Sequence, residues 1–397
     1  PYPVAISVHS KWIGMEYPMI CFNGGRPEDD GTYSENTKYG MWGVIIHEVG
    51  HNFFPMIINS DERQWSWMDE GLNTFVQYLT EQEWERGYPS RRGPAYLIAD
   101  YMKGDKKRIS PIMTNSESIW QFGNNAYGKP ATALNILRET VMGREQFDYA
   151  FKTYCERWKF KHPTPADLFR TMEDASAVDL DWFWRAWFYT TDHVDISMDE
   201  VLSFELNTMN PEVEKSNAKK VEEEKSKFIG DTRNKTLVKE TVNERDADID
   251  DFYAKHDKNN VDALDLKDYK DFKAKLSEDD LALLNSGKQF YEIHFSNIGG
   301  IPMPLILEFT FSDKSTEVVR IPAEIWRMHE EEISKVFIFD KTVESIKLDP
   351  FLETADTDFS NNSWPAQKVS TRYELFKNAQ KNENPMQRDK RLQELGN

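Results

Sequence analysis

Two histidines separated by three residues are the first feature of this sequence with clear chemical potential. Residues 47–51 read His-Glu-Val-Gly-His. In a helix, positions i and i+4 lie on one face, so both imidazoles can reach a single cation. Glu48 lies beside them and is placed to bind an activated water without being a ligand. A catalytic zinc takes three protein ligands and keeps one position open for water. The two histidines therefore predict two of the three ligands of a zinc site, and the third must come from elsewhere in the chain.

The third ligand is expected from the next helix. Eighteen residues separate His51 from Glu70, which is enough for a loop and a return of the chain. Glu70 lies in the run Trp-Met-Asp-Glu-Gly-Leu-Asn, where a second helical pattern begins. The three residues together predict a Zn²⁺ hydrolase site with His47, His51 and Glu70 as ligands and Glu48 as the general base.

The elements that must position these residues follow from the apolar spacing. Residues 1 to about 25 alternate as strands do, with a turn at Gly14. A helix is predicted from Tyr39 until Pro55 interrupts it, and a second from about Asp69 to Trp84. Further helical stretches are predicted over 130–142, 145–158 and the aromatic-rich 180–189.

The second half of the chain changes character. Residues 206–285 are dominated by Lys, Glu and Asp, which favours an exposed helical connection or a loosely folded insert. Residues 288–350 alternate strongly between apolar and polar residues, which predicts a small antiparallel β domain, by preference a sandwich. The tail after about residue 365 is polar.

The bulk composition limits the classes of partner. The 397 residues are 39% hydrophobic, which is enough for a sizeable core, and carry a net charge of −19. That charge disfavours nucleic acids and anionic membranes as partners, and no apolar run is long enough to span a membrane. The two cysteines lack a C-x-x-C spacing, which argues against a cysteine-built zinc site. The oligomeric state and the localisation stay open.

With these motifs the chain resembles the aminopeptidase N family of gluzincins, which includes the leukotriene hydrolase branch. The resemblance covers residues 1 to about 190 and implies an α+β fold with a thermolysin-like catalytic domain and then an α-helical domain. It also implies an N-terminal β domain, one wall of the substrate cleft, which has no counterpart in this sequence. We expect the following division: 1–115 catalytic, 116–200 helical, 201–287 a charged connection, 288–362 a small antiparallel β domain, and 363–397 a polar tail.

One motif that carries this resemblance is Gly14-Met15-Glu16. Members of the family have Gly-Ala-Met-Glu-Asn on an edge strand of the cleft, and the glutamate binds the α-amino group of the substrate. Here only Met15 and Glu16 match, since Ile13, Gly14 and Tyr17 replace the family's Gly, Ala and Asn. The resemblance implies a substrate-binding role for Glu16, supported by Gly14 and Met15.

A second motif is Tyr127, followed two residues later by Lys129, as in the family. The resemblance implies that the Tyr127 hydroxyl stabilises an oxyanion. Two positions depart from the family pattern. Gln77 replaces a glutamate that orients a zinc-bound imidazole, so it can accept a hydrogen bond but carries no charge. Asp69 replaces the usual Asn before the third ligand.

The implied reaction is hydrolysis of the first peptide bond of peptides with a free N-terminus, through a zinc-activated water. Three alternatives remain open. A zinc endopeptidase or an epoxide hydrolase could use the same metal and fold. A non-catalytic binding module could retain a vestigial site, although the intact Glu48 argues against it because a purely structural zinc needs no base. The family resemblance slightly favours a periplasmic or secreted protein.

Overall fold

The computed structural model describes residues 4–11, 14–246, 248–249, 252–366 and 384–395. Ile13, residues 1–3 of the first predicted strand and most of the predicted tail lie outside the described residues. The chain divides into two compact units. The first comprises 1–201, 293–335 and 343–397, and the second comprises 202–292 and 336–342. The mixed helix and sheet content confirms the α+β class, while the predicted five-part division stays a prediction.

A small sheet opens the first unit. Its strands are β1 (Ile6–His9), β2 (Gly14–Tyr17) and β3 (Ile20–Asn23), arranged in the order β1-β3-β2. β1 is parallel and β2 is antiparallel to the central β3. Because β2 is at the edge, one of its sides is free to face a helix or a ligand. Side chains alternate along a strand, so Gly14 and Glu16 share one face of β2.

Helix α1 (Glu35–Gly50) carries the histidine motif. Ser34 caps its start by accepting a hydrogen bond from the Thr37 N–H, so the helix begins four residues before the predicted Tyr39. It ends before Pro55, as predicted. The residues buried along it are Gly43, His47 and Glu48.

The second predicted helix begins with a single π-helical turn, Trp67–Gly71, and continues as α2 (Leu72–Trp84). The first turn of α2 lies against the last turn of α1 at one close approach. A Cβ on Gly50 would lie 2.2 Å from the Asn73 Oδ1, and the Asn73 Nδ2 donates to the His47 carbonyl at 2.8 Å. The absence of a side chain at Gly50 therefore lets α2 bond to the backbone of α1 beside the histidines.

More helices complete the body of the first unit: α3 (Ala99–Lys103), α4 (Lys129–Ile136), α5 (Arg144–Trp158), α6 (Pro165–Ser176) and α7 (Asp181–Tyr189). The predicted helix 130–142 is α4 followed by a π-helical segment, Leu137–Val141. Aromatic side chains from several of these segments form the core, and their rings are almost fully buried: Trp67, Phe75, Phe147, Phe183, Trp187 and Phe188. This core holds α2, and with it Glu70, in place.

The strands of the second half are β4 (Ile196–Glu205), β5 (Gln289–Asn297), β6 (Leu305–Phe311), β7 (Thr316–Ile321), β8 (Glu332–Phe339), β9 (Val343–Leu348) and β10 (Ser363–Trp364). They form two sheets, in the orders β4-β5-β8 and β10-β9-β6-β7. The alternating pattern of 288–350 thus correctly predicts strands, and the pairings of β6 with β7 and β9 are antiparallel.

The charged stretch consists of short helices: α8 (Pro211–Glu224), α9 (Ile229–Leu237), α10 (Val242–Arg245), α11 (Phe252–Lys255), α12 (Ala263–Lys273) and α13 (Glu278–Leu284). A last helix, α14 (Pro385–Leu395), lies in the tail. None of the helices in the described part of the chain is long and apolar enough to cross a membrane.

Candidate metal centre and active site

The three predicted metal ligands converge. The Nε2 atoms of His47 and His51 lie 3.0 Å apart. The Glu70 Oε2 is 3.0 Å from the His47 Nε2 and 3.4 Å from the His51 Nε2. Two helix positions four residues apart supply the imidazoles, and the π-helical turn before α2 supplies the carboxylate.

These spacings fit a zinc ion. A tetrahedral ion with bonds of about 2.0–2.1 Å holds its donors about 3.3 Å apart, which is close to the three distances observed here. The outer ring nitrogens are already engaged, because the His47 Nδ1 is 2.9 Å from the Gln77 Oε1 and the His51 Nδ1 is 2.8 Å from the Phe54 carbonyl. When each imidazole is neutral and donates through Nδ1 to these acceptors, each Nε2 presents a lone pair to the centre. Two lone pairs and a carboxylate facing one another call for a cation.

The electrostatics of the ligands show the same demand for positive charge. Burial lowers the pKa of the His51 imidazole, but its hydrogen bonds to the Asp69 and Glu70 carboxylates outweigh burial and raise the pKa to about 11. Burial likewise opposes ionisation of Glu70, yet His47 and His51 hold its pKa below the ordinary value. The Asp69 Oδ1 lies 2.9 Å from the His51 Nδ1. The site therefore stabilises a carboxylate and a positive charge together.

Glu48 is buried next to the ligands on α1. Burial raises the pKa of its carboxyl to about 7; His51 opposes the shift, and the carboxylates of Glu16 and Glu70 add to it. A group that exchanges its proton near neutral pH suits general acid–base chemistry. Gly14 of β2 lies directly against this carboxylate, since a Cβ there would be 2.2 Å from the Glu48 Oε1.

Glu16 lies two residues further along β2. The carboxylates of Glu16 and Glu48 and the imidazole of His51 form a group, and one possible ligand atom from each lies within 4.8 Å of the others. The structure thus brings Glu16 to the His51 side of the centre. Met15 points to the opposite face of the strand, and its side chain is 44% exposed. Of the three residues in the motif, Gly14 and Glu16 meet the site through their shared face and Met15 does not.

Tyr127 stands on the other side of the donors, in the π-helical turn Gly123–Gly128 that precedes α4. Its ring stacks on the His47 ring, with centroids 5.6 Å apart. Burial, together with the Glu70 carboxylate, raises the pKa of the Tyr127 hydroxyl. The hydroxyl is therefore protonated over the whole physiological range and can donate a hydrogen bond.

The neutral Gln77 is connected to a buried charge. Its Nε2 donates to the Glu81 Oε1 at 2.7 Å, while its Oε1 accepts from His47. Glu81 lies one helical turn later on α2 and is buried. The family pattern has a carboxylate at position 77, and here the Gln77 amide takes its place. The hydrogen bond to Glu81 fixes the orientation of this amide, and the amide in turn orients the His47 ring.

A cavity of about 540 Å³ opens beside these residues, within the size range of ligand pockets. The site residues that do not line it are Glu16, His51 and Glu70, whereas those that line it are Gly14, His47, Glu48, Gln77, Glu81 and Tyr127. The cavity therefore borders the His47 side of the centre, and Glu16 does not line it.

Sequence reasoning missed two residues of this region, Glu81 and Arg92. The i,i+4 spacing from Gln77 was a signal for Glu81, because residues four apart on a helix are neighbours. Arg92 comes from a loop after α2, and its guanidinium carbon lies 4.4 Å from the centroid of the Tyr127 ring. Nothing in the local sequence distinguishes it from the adjacent Arg91.

Comparisons with known proteins agree with this geometry. The model of the peptidase family M1 domain matches residues 14–187. "Probable aminopeptidase 1" of Sulfurisphaera tokodaii is 24% identical over 47% of this chain and 25% of its own length. "Aminopeptidase N" of Lactococcus lactis is 23% identical over 50% of this chain and 25% of its own length. The chain thus spans about a quarter of the length of these curated relatives.

Among solved structures, aminopeptidase A of Legionella pneumophila, in complex with aspartic acid, resembles this chain with a TM-score of 0.49 and 14% identity. That similarity covers 88% of this chain and 31% of the other. The family match contains all the predicted ligands, Glu48 and Tyr127. Residues 14–187 thus match the peptidase family M1 domain, and the comparisons support a zinc metallopeptidase of the aminopeptidase N family.

Proposed function

We propose that the chain is a zinc-dependent aminopeptidase that hydrolyses the N-terminal peptide bond of peptides. The observation that carries the proposal is the position of Glu16, whose carboxylate reaches the Glu48 and His51 side of the three converging metal donors. Residues 1–115 correspond in this proposal to a thermolysin-like catalytic domain and residues 116–200 to the helical domain that completes the cleft. The β domain 288–362 is a sandwich in the same proposal.

His47, His51 and Glu70 would hold the zinc ion. When bound, zinc supplies a Lewis acid that polarises a carbonyl and makes water more acidic. The Nδ1 contacts of the two imidazoles to Gln77 and Phe54 keep both rings oriented towards the centre.

Glu48 acts as the general base and acid. Its carboxylate accepts a proton from the attacking water and delivers it to the leaving amine. Burial is the main cause of the raised pKa of this carboxyl, which at about 7 lets the group both accept and release a proton near neutral pH. The absence of a Cβ at Gly14 leaves room for the Glu48 carboxylate against β2.

Tyr127 donates a hydrogen bond to the oxygen that becomes negative as the carbonyl is attacked. The stacking of its ring on His47 fixes the position of the hydroxyl relative to the metal donors. Because its pKa is raised, the proton stays on the phenol and the hydroxyl remains a donor.

Glu16 sets the position of cleavage. An α-amino group has a pKa near 8 and is mostly cationic at neutral pH, so it forms a charge-assisted pair with a carboxylate. A cation held at Glu16 leaves the first carbonyl of the peptide near the donors and Glu48. The remainder of the substrate then continues into the cavity on the His47 side.

The test compares peptides that differ only at the amino end. Zinc-loaded chain should cleave Ala-Ala-Phe much faster than its N-acetylated form, by about 10- to 150-fold in kcat/KM, on the scale of a charged hydrogen bond. Glu16→Ala should reduce that ratio by slowing the free peptide, whereas Glu83→Ala, an exposed glutamate of α2, should leave it unchanged. Equal cleavage of free and acetylated peptides would assign the site to an endopeptidase instead.

A further inference from the structure

Arg92 is a charged side chain without a carboxylate partner among the described residues. Its guanidinium lies over the Tyr127 ring, with Cζ 4.4 Å from the ring centroid. It forms no hydrogen bond and no ion pair with any residue that the structure describes. Arg92 is half-buried, and burial lowers the pKa of its guanidinium. A guanidinium offers five N–H donors, and Arg92 lines the cavity.

The carboxylate of Glu81, which lines the same cavity, already accepts hydrogen bonds from within the protein. The Glu81 Oε1 accepts from the Gln77 Nε2 at 2.7 Å, and its Oε2 accepts from the Ser90 hydroxyl at 2.5 Å. The neighbouring Arg91, in contrast to Arg92, donates to the Asn36 Oδ1. Within the part of the chain that the structure describes, Arg91 therefore has a hydrogen-bond acceptor and Arg92 has none.

Arg92 lies where the part of a bound peptide after the scissile bond would pass. Glu16 and His51 lie off the cavity, while Arg92, His47 and Tyr127 line it. A peptide bound by its amino group at Glu16 sends the residues after the scissile bond past His47 into this space. This step rests on the proposed function, because it takes the orientation of the peptide from Glu16.

We propose that Arg92 binds a carboxylate on the leaving side of the substrate, so that the enzyme prefers peptides that carry an acid directly after the cleaved bond. Two sources provide this chemistry: the C-terminal carboxylate of a dipeptide, or an aspartate or glutamate side chain in the second position. Arg92 is thus a specificity-determining residue. A planar guanidinium is well suited to this role, because it pairs with a carboxylate through two parallel hydrogen bonds.

Binding measured by calorimetry tests the proposal without relying on turnover. The host is the zinc-loaded Glu48→Gln chain, which is expected to bind peptides without cleaving them. Ala-Ala is compared with Ala-Ala-amide for the C-terminal carboxylate, and Ala-Asp-amide with Ala-Asn-amide for the side chain. At least one acid should bind about 10- to 150-fold more tightly than its amide. Equal affinities within both pairs would overturn the proposal.

Substitutions then assign the preference to Arg92. Adding Arg92→Gln should reduce the advantage of the acid to less than about threefold, and Arg92→Lys should keep part of it, because lysine retains the charge but not the bidentate geometry. Arg86→Gln, which removes an exposed arginine of the same region, should keep it in full. An undiminished preference in Arg92→Gln would refute the assignment. If Arg92→Gln does not fold, the Arg92→Lys variant provides the test. An unchanged preference for the acid over the amide in Arg92→Lys would refute the bidentate pairing.

The same experiments distinguish this inference from two other outcomes. If Arg92 only positions Tyr127, Arg92→Gln in the active chain should lower kcat equally for acids and amides, with no selective rise in KM for the acids, and the proposal fails. If N-acetyl-Ala-Ala binds as tightly as Ala-Ala, the amino-end recognition of the proposed function fails, whatever the acid–amide comparison shows.

Discussion

A single methyl group at Gly50 should separate the two helices that carry the metal donors. A Cβ there would lie 2.2 Å from the Asn73 Oδ1. Asn73 is 1% exposed, so its amide has little space to swing away, and its Nδ2 bond to the His47 carbonyl would be lost. Losing a buried hydrogen bond costs about 1–3 kcal/mol and overpacking about 1–3 kcal/mol, while exchanging Gly for Ala in a helix returns up to about 1 kcal/mol. Gly50→Ala should therefore lower the free energy of unfolding by about 1–6 kcal/mol.

Gly40→Ala is the matched control on the same helix. The nearest neighbour of a Cβ at Gly40 is the Arg91 Nη2 at 3.8 Å, an ordinary contact. We expect this substitution to raise the free energy of unfolding by up to about 1 kcal/mol, through helix propensity alone. Urea unfolding followed by tryptophan fluorescence, with chelator present, measures both variants against the parent chain.

A double-mutant cycle isolates the contact. In an Asn73→Ala background the obstruction is absent, so Gly50→Ala should be neutral or slightly stabilising. Competitive titration should also show zinc affinity reduced about 10- to 100-fold in Gly50→Ala, the range seen when groups that support a ligand are removed. If Gly50→Ala stabilised the chain as Gly40→Ala does, the inferred approach of Asn73 to α1 would be wrong.

The remaining predictions concern the base, the oxyanion donor and a buried lysine. Glu48→Gln should keep zinc, measured by elemental analysis, and lose several orders of magnitude in kcat; retained activity would exclude it as the base. Tyr127→Phe should lower kcat about 10²- to 10³-fold with little change in substrate binding; an unchanged kcat would contradict its role. Burial lowers the pKa of Lys129 to about 7. The unfolded chain keeps this proton up to about pH 10.4, so the free energy of unfolding of the parent chain rises with pH above about 7. Lys129→Met lacks this proton. The amount by which this variant is more stable than the parent in urea unfolding should therefore shrink by about 1.4 kcal/mol per pH unit between pH 7 and 9. A constant difference would show that Lys129 is charged in the folded chain.

The parts of the site that depend on short-range spacing were predictable. His47 and His51 are one helical turn apart, and this spacing alone brings them together on one face. Glu70 is near enough in sequence for a single loop to return it. Glu16 was predicted from the family motif, and its approach to Glu48 depends on the edge position of β2, which strand patterns alone do not give.

Contacts from loops were not predictable. Arg92 reaches Tyr127 across 35 positions of sequence through a loop that has no periodic pattern, and its twin Arg91 turns to Asn36 instead. Both arginines line the cavity, and which of them reaches the Tyr127 ring depends on tertiary packing. The hydrogen bond from Gln77 to Glu81 had a local signal, since the two residues are four apart on one helix.

The elements show the same division. Apolar spacing located α1 but placed its start at Tyr39, because the first turn after the cap at Ser34 is polar and carries no apolar signal. The π-helical turn that presents Glu70 follows from packing rather than from propensity. The strand β4 was not predicted, because its alternation ends at Glu200, where Val201 and Leu202 follow one another.

Zinc-dependent cleavage of an aminoacyl bond tests the account most directly. The chain is stripped with a chelator and then titrated with Zn²⁺, while coumarin release from a panel of aminoacyl-coumarins is followed at each step. We predict no activity in the stripped chain, and a linear rise that stops at one zinc per chain for the free aminoacyl substrates but not for their N-acetylated forms. Activity that does not depend on zinc, or a fully loaded chain that cleaves none of the free substrates, would contradict the account.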